Sequence, residues 1–278
     1  MNAGGLDRDE EGLGLDALQH RVWALECLNK RLSGSWSDVT PQETNALIST
    51  FLLLSFQAIH LSEDVGEFIT LMRGVAVIGE KTIDGNIQSV LLTMFEGLRA
   101  DNNTPWTDIP LFWDGQTSLS VEAIKGLESL CPGPLETEYH EKLLCIAKEP
   151  SSSQNACEFR TSPSVIIRRR AYTALVRLVE LYIWWMTLPT LDFWRLIEPS
   201  NQVMILMHAH WVALATVMVS VTPGGVSRVE HRGQFRATRK GFVRWLRSLN
   251  AKVDATHRVY NEWPRMVENS FEGDSAAG

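Results

Sequence analysis

Residues 203–221 read "VMILMHAHWVALATVMVSV", nineteen positions without one formally charged side chain. Three environments suit such a stretch: a bilayer, the middle of a protein core, or the wall of a cavity holding an apolar molecule. Length does not separate them, because a spanning helix needs about twenty apolar residues. Two histidines do bear on it. His208 and His210 fall near the centre of the segment, where polar groups in lipid are costly. The next most apolar stretch, "AYTALVRLVELYIWWMTL" at 171–188, is interrupted by Arg177 and Glu180, so no partner span accompanies it. The expected structure is a helix wrapped by other helices of the same chain, with no membrane span. At helical spacing, Met204, Met207, Trp211 and Met218 form one stripe and Leu206, His210, Ala213 and Val217 another. Both stripes are apolar, which places the helix inside. Methionine adapts to irregular surroundings, whether a neighbouring side chain or a bound lipid. His208 and His210, at i and i+2, point to different faces and do not suit one metal ion; core histidines are expected.

The rest of the chain is compatible with an all-α, multi-helix globular domain. It has 278 residues, 45% of them hydrophobic, enough to bury a core as one large domain or two packed lobes. Few runs alternate apolar and polar, and no repeat is visible. The net charge of −7 is unevenly spread: residues 1–150 carry ten basic and twenty-three acidic side chains, a net −13, while 151–278 carry sixteen and ten, a net +6. The basic half is therefore open to an anionic partner. Cys27, Cys131, Cys145 and Cys157 are scattered without a C-x-x-C pair, and no apolar secretory segment follows the acidic start; this reads as a reducing, intracellular protein without a zinc site or other cofactor.

Four segments follow from the pattern. Residues 1–14, rich in glycine and acid, are expected to be disordered. Residues 15–148 form an N-terminal helical lobe, 149–164 ("EPSSSQNACEFRTSPS") a flexible connector, and 165–270 a C-terminal lobe, the two lobes making one domain. In the first lobe, Leu15 to Leu32 recur at helical intervals up to the stop Ser33-Gly34. Thr40, Pro41 and Glu43 make a capping-box start for an apolar helix through Ile59. Ser62 is the expected cap of a third helix, Ile87 to Leu98 mark a fourth, and 100–118 is a long loop packed down by Trp106, Phe112 and Trp113. In the second lobe a helix starting at Ser162-Pro163 stops before Pro189, and a short helix "LDFWRLIE" ends at Pro199. The opening helix then leads into two closing helices carried by Phe242, Trp245, Leu246, Leu249 and Val253, and by Val259, Tyr260 and Trp263.

No G-x-S-x-G, H-E-x-x-H, G-x-x-x-x-G-K-[ST] or G-x-G-x-x-G occurs. The helices are rich in packing residues and poor in acids, bases and nucleophiles, so the chain is read as non-enzymatic. The Arg-rich stretch "RVEHRGQFRATRKGFVRWLR", residues 228–247, is the place where phosphate binding could be argued; a solvated helix face with snorkelling stems is the simpler reading. Arg168 to Arg170 pose the same choice between a nuclear import element and ordinary surface.

The succession "ALQHRVWALECLNKRL", "LISTFLLLSFQAIHLSEDVGEFITLMRGVAVI", "LDFWRLIEPSNQVMILMHAHWVAL" and Trp263-Pro264 resembles the C-terminal regulatory domain of fungal binuclear zinc-cluster transcription factors, of the sterol uptake control protein type. The likeness spans most of residues 15–265. It implies an all-helical effector domain of an RNA polymerase II transcription factor that senses a sterol or other apolar molecule in a hydrophobic pocket and acts in the nucleus, with a cytoplasmic stage before activation as an open alternative. Carried over by position, Phe51, Phe56, Phe68, Met72, Met204, Met207 and Trp211 are the candidate ligand-binding residues. Two departures stand out. Residues 1–40 hold no six-cysteine zinc cluster, so this chain alone is expected not to bind DNA specifically, and the segment after Gly225 is basic where the family is tryptophan-rich and apolar. The alternative is a protein-interaction or dimerisation module that binds no ligand, recruits coactivators or self-associates, and keeps a filled core.

Overall fold

The computed structural model describes residues 6–36, 39–82, 112–148, 176–221 and 229–272. Among the described residues the regular structure is helical throughout, with no strand. The helices are α1 (Leu6–Leu32), α2 (Pro41–Leu61), α3 (Val65–Thr82), α4 (Phe112–Gly126), α5 (Pro134–Lys148), α6 (176–187), α7 (Thr190–Leu196), α8 (Gln202–Val221), α9 (Val229–Lys252) and α10 (Glu262–Glu272). Short 3-10 turns at Leu127–Leu130 and Arg258–Asn261 precede α5 and α10. The fold class expected from the sequence is the one found.

The local signals act much as their chemistry directs, with three shifts. Helix α1 begins at Leu6, inside the stretch whose composition suggests disorder, and α4 begins at Phe112, inside the expected loop. Thr40 caps α2, its hydroxyl accepting from Glu43 N–H at 3.2 Å. The α3 cap is Asp64 rather than Ser62: Asp64 Oδ1 accepts from Gly66 N–H at 3.0 Å, while Ser62 Oγ accepts from Asp64 N–H at 3.1 Å and the Ser62 N–H closes α2 on the Ala58 carbonyl. Aspartate wins because its carboxylate also meets the positive end of the helix. Asn201 caps α8 through Met204 N–H. The expected Ile87–Leu98 helix, Trp106, the 149–164 connector and Arg168 to Arg170 lie outside the described residues.

Helix α8 is the centre. Every side chain from Met204 to Met218 is buried, and α4, α5, α9 and α10 pack against it. The α2–α3 hairpin adjoins α9, and one hydrophobic cluster runs from Leu28 to Phe271, taking residues from both expected lobes. Among the described residues α2 is the one helix long and apolar enough to cross a membrane by length and composition alone, with a mean hydropathy of 1.3 over its most apolar 18-residue window. In this fold 50% of that window is buried, on α3 and α9.

Polar ties hold the helices in register. Arg21 of α1 donates to the Leu54 carbonyl at 3.0 Å, Gln57 Oε1 at 3.1 Å and Glu67 Oε1 at 2.6 Å, joining α1 to α2 and α3. Arg73 of α3 donates to the Met186 and Leu188 carbonyls, at 3.3 and 2.7 Å, and lies over the Phe193 ring. It thereby covers the unsatisfied carbonyl end of α6. Trp245 Nε1–H of α9 donates to the Ser62 carbonyl at 2.8 Å. Gln202 bridges α8 to the end of α9, donating to the Lys252 carbonyl and accepting from Asp254 N–H.

Two glycines set how closely helices approach. A Cβ on Gly241 would stand 2.0 Å from the Ile59 carbonyl oxygen of α2, and one on Gly74 would stand 2.3 Å from the Phe51 ring. The first obstacle is backbone, which cannot rotate away. Gly241→Ala is therefore expected to push α9 off α2 and to cost roughly 1–3 kcal/mol, the usual penalty of overpacking, read as a lower urea midpoint. Alanine at Gly126, where nothing lies within 4 Å, is the control and leaves the midpoint unchanged or raised.

Candidate functional site

Six of the seven candidate ligand-binding residues enter the common core. Phe51, Phe68, Met72, Met204, Met207 and Trp211 are buried, brought together from α2, α3 and α8. Phe56 is not among them. It sits on the outer face of α2 at 47% exposure, because a step of five residues from Phe51 turns it about 140° around the helix axis.

The heart of the site is a chain of rings. Trp211 stacks on Phe68 at 5.9 Å, meets Trp185 edge-on at 4.7 Å and Tyr182 edge-on at 5.9 Å, and lies 6.2 Å from Trp245. Phe68 also touches Tyr182 and Trp245, and Trp185 continues to Tyr139 and His208. Helices α3, α5, α6, α8 and α9 thus meet through aromatic contacts, each pair contributing about 0.5–1.5 kcal/mol beyond simple burial. Tyr139, Tyr182 and Trp185 were not among the residues the sequence singled out, while His208 was expected only as a core histidine. "YIWWM" at 182–186 carried the only hint, an aromatic pair three residues apart on one helix face.

The polar atoms in this interior are unevenly satisfied. Tyr139 O–H donates to His208 Nδ1 at 3.0 Å, and His208 Nε2–H donates to the Leu196 carbonyl at 2.9 Å. His210 Nδ1–H donates to the Leu206 carbonyl at 2.8 Å, leaving its Nε2 buried without a partner. His140 Nε2–H donates to the Ile124 carbonyl. Trp185 Nε1–H and Trp211 Nε1–H are buried without a hydrogen bond; the latter acts on the Tyr182 hydroxyl only weakly, at a geometry short of a formed bond. Each unpaired buried donor costs about 1–3 kcal/mol, so the two indole nitrogens mark the place where the core is least content.

Burial holds the titratable groups among these rings neutral. Burial pushes His208 down to about 4, opposed by its bond to the Leu196 carbonyl and by the Asp64 charge. Burial likewise pushes His210 down to about 4, with the Leu206 carbonyl opposing and His140 adding to the fall. Burial raises the Tyr139 and Tyr182 phenols. The interior therefore offers neutral histidines and neutral phenols. Among the described residues no group of three His, Cys, Asp or Glu side chains is placed to hold a metal ion.

Compared with protein-family profiles, curated protein sequences and solved structures, the chain matches none.

The two histidines make stability depend on pH in a definite direction. Their folded values near 4 lie below the ordinary 6.5, so the unfolded chain takes up protons first as pH falls. Their contribution is complete above pH 6.5 and is lost as pH falls towards 4. The slope is about 1.4 kcal/mol per pH unit for each histidine. Urea unfolding between pH 6.5 and 5 measures it. In His210→Asn, which keeps a donor for the Leu206 carbonyl, the slope is expected to fall by about one proton.

Proposed function

We propose that this chain is a non-enzymatic, ligand-responsive effector domain of a nuclear transcriptional regulator of the fungal binuclear zinc-cluster type, and that its ligand is an apolar molecule carrying a hydroxyl, sterol-like in shape. One observation carries the reading. Two indole N–H donors, Trp185 Nε1 and Trp211 Nε1, stand buried without a formed hydrogen bond, Trp211 facing only the Tyr182 hydroxyl, in a hydrophobic core that also holds Phe68, Met72, Met204 and Met207. A flat apolar body fits such walls, and a hydroxyl oxygen fits a donor that lacks an acceptor. Methionine on the walls allows them to reshape around a ligand.

The same interior is closely packed, with Trp211 fully buried among four other rings. A ligand is admitted only when helices part, and this is how binding becomes a signal. A molecule that prefers the parted arrangement shifts the population towards it by its difference in affinity between the two states and by nothing more. DNA recognition belongs, on this reading, to a zinc cluster that this chain does not carry.

A second reading has its own support. Leu53 and Phe56 on α2 and Leu191 and Trp194 on α7 are exposed, Leu191 at 79%, as they would be in a module that recruits a coactivator or a second copy through its surface.

Thermal unfolding with a panel of sterols and other lipids separates the two. At a hundredfold excess over the dissociation constant, linkage adds about 2.7 kcal/mol, or a rise of roughly 5–10 °C in Tm. Trp211→Phe keeps a ring but removes the donor, and is expected to reduce that rise. No change in Tm with any lipid of the panel would leave the interaction module as the function.

A further inference from the structure

Helix α2 carries an outward stripe that the interior does not use. From Thr44 to Ser62 the chain has no Asp, Glu, Lys or Arg. The inward face of this stretch packs on α3 and α9, and the outward face runs through Gln42, Ala46, Ser49, Leu53, Phe56 and the half-buried His60. Leu53 is 69% exposed and Phe56 is 47% exposed. The solvent face of a surface helix is ordinarily charged or polar, whereas here two large apolar side chains stand in the open one turn apart. Burial and the Arg244 charge hold the His60 imidazole below its ordinary range, so nothing on the stripe is charged at neutral pH.

The order of side-chain sizes along the stripe bears on what covers it. Successive positions are four, three, four, three and four residues apart. Turned end for end, the stripe falls on itself, with Gln42 opposite His60, Ala46 opposite Phe56 and Ser49 opposite Leu53. That spacing is common to helix faces; the distribution of sizes is particular to this one. The small side chains, Ala46 and Ser49, occupy the N-terminal half and the large ones, Leu53 and Phe56, the C-terminal half. Two such helices laid antiparallel set each large side chain over a small one, the arrangement in which facing layers interdigitate. Gln42 and His60 then meet at the two ends, as the polar rim of an apolar contact. Parallel pairing would instead set Phe56 on Phe56 and leave a gap between the two Ala46 side chains.

We propose that α2 is a dimerisation helix: a second copy of this chain covers the stripe, the two α2 helices lying antiparallel about a two-fold axis at the level of Phe51. Such a contact is isologous, the same patch on both subunits, and a second copy brings the complementary order of sizes with it. A bilayer fits less well. Helices that lie in a membrane surface set Lys and Arg beside the apolar face, while the charged residues at the two ends of α2 are Glu43, Glu63 and Asp64. The 21 residues of α2 make a helix about 30 Å long and about 10 Å wide, so the stripe buries on the order of 600 Å2 over the two copies. Helix α1 runs antiparallel alongside, with Arg21 on the Leu54 carbonyl and Arg31 on Glu43. It widens the layer and brings the total to about 1,200 Å2, the lower limit for a stable specific interface, where association on the order of 10 μM is expected. Leu53 and Phe56 lie outside the interior around Trp211, so the dimer narrows the surface reading to one helix and one partner and is independent of any ligand in that interior.

Sedimentation equilibrium of the full chain over about 1 to 200 μM, a range that brackets this constant, tests it. The mean mass is expected to climb from 31.3 kDa towards twice that value. A46E and F56K each set an unpaired charge against an apolar partner, and each is expected to weaken association at least about tenfold. In A46E/F56K the introduced acid of one copy meets the introduced base of the other, and most of that loss is expected to be recovered. The two positions are about 15 Å apart along one helix, so the charges cannot pair within a chain. Both face solvent in the single chain, and circular dichroism and Tm are expected to be unchanged. An equal mixture of the A46E and F56K chains is a second readout, expected to associate more tightly than either alone, and L191E on α7 is expected to leave association as it was. A monomer at every concentration, association unmoved by F56K, association lost in L191E, or a double variant as weak as the single ones would each overturn the proposal. A chain that stays monomeric yet sediments with phosphatidylcholine or phosphatidylserine vesicles, and ceases to do so in F56K, would assign the stripe to a bilayer instead.

Discussion

The contact between Trp211 and the rings of other helices is the constraint on which the rest of the structure depends. Helix α8 has no polar face, so it is stable in water only when neighbours cover it on every side. Phe68 from α3, Tyr182 and Trp185 from α6 and Trp245 from α9 do this with flat, rigid groups that lose little freedom on burial. The positions of α3, α6 and α9 then follow from the need to bring those rings to one place. Gly241 and Gly74 let α9 and Phe51 come close enough. The hydrogen bonds from Arg73 and Trp245 fix the register by occupying backbone carbonyls that would otherwise be unsatisfied.

An interior so rich in tryptophan cannot be apolar throughout, since each indole brings an N–H with it. Trp245 finds the Ser62 carbonyl, Trp211 reaches the Tyr182 hydroxyl without a formed hydrogen bond, and Trp185 finds nothing among the described residues. His208 meets the same demand through Tyr139 and Leu196, and His210 does so on one nitrogen only. The unmet groups concentrate on α8 and α6, where the methionines also lie. A region that combines unpaired donors with adaptable side chains is the part of a core most able to gain from a guest molecule. The proposed mode of action grows from that imbalance rather than from an open cavity. Admission of a guest separates rings that belong to different helices, so its effect reaches the surface of the molecule.

The surface divides by charge, acidic in the first half of the sequence and basic in the second. In the first half the charges are used within the fold, as in the pairs Arg21–Glu67 and Arg31–Glu43. Burial alone would raise the Glu67 carboxyl, yet the hydrogen bonds from Arg21 and Ser62 outweigh it and hold it below the usual carboxylate range. Around α9 and α10 the balance differs, because among the described residues Arg258 and Arg265 have no such partner. Charges that the fold does not neutralise remain available to something outside it.

How much of this was legible in the sequence varies with the range of the interaction concerned. The buried character of 204–218, the Thr40 cap, the stop at Ser33-Gly34 and the end of α6 before Pro189 depend on residues within a few positions of one another, and the sequence alone determined them. The start of α4 escaped it, because competing local signals differ by less than packing supplies, and the choice of Asp64 over Ser62 escaped it because two good capping residues stand two positions apart. Phe56 falls outside the buried candidates for a related reason. Apolar residues close together on a strongly apolar helix do not reveal which face turns inward until the partner helix is known. Only the tertiary structure decided that Phe68, Tyr182, Trp185, Trp211 and Trp245 share one interior, that two of their indoles go unpaired, and that Arg258 and Arg265 join Arg247 at one groove. The physical reason is that satisfaction of a buried donor, or neutralisation of a charge, is a property of neighbours contributed by distant parts of the chain, and periodicity carries no information about them.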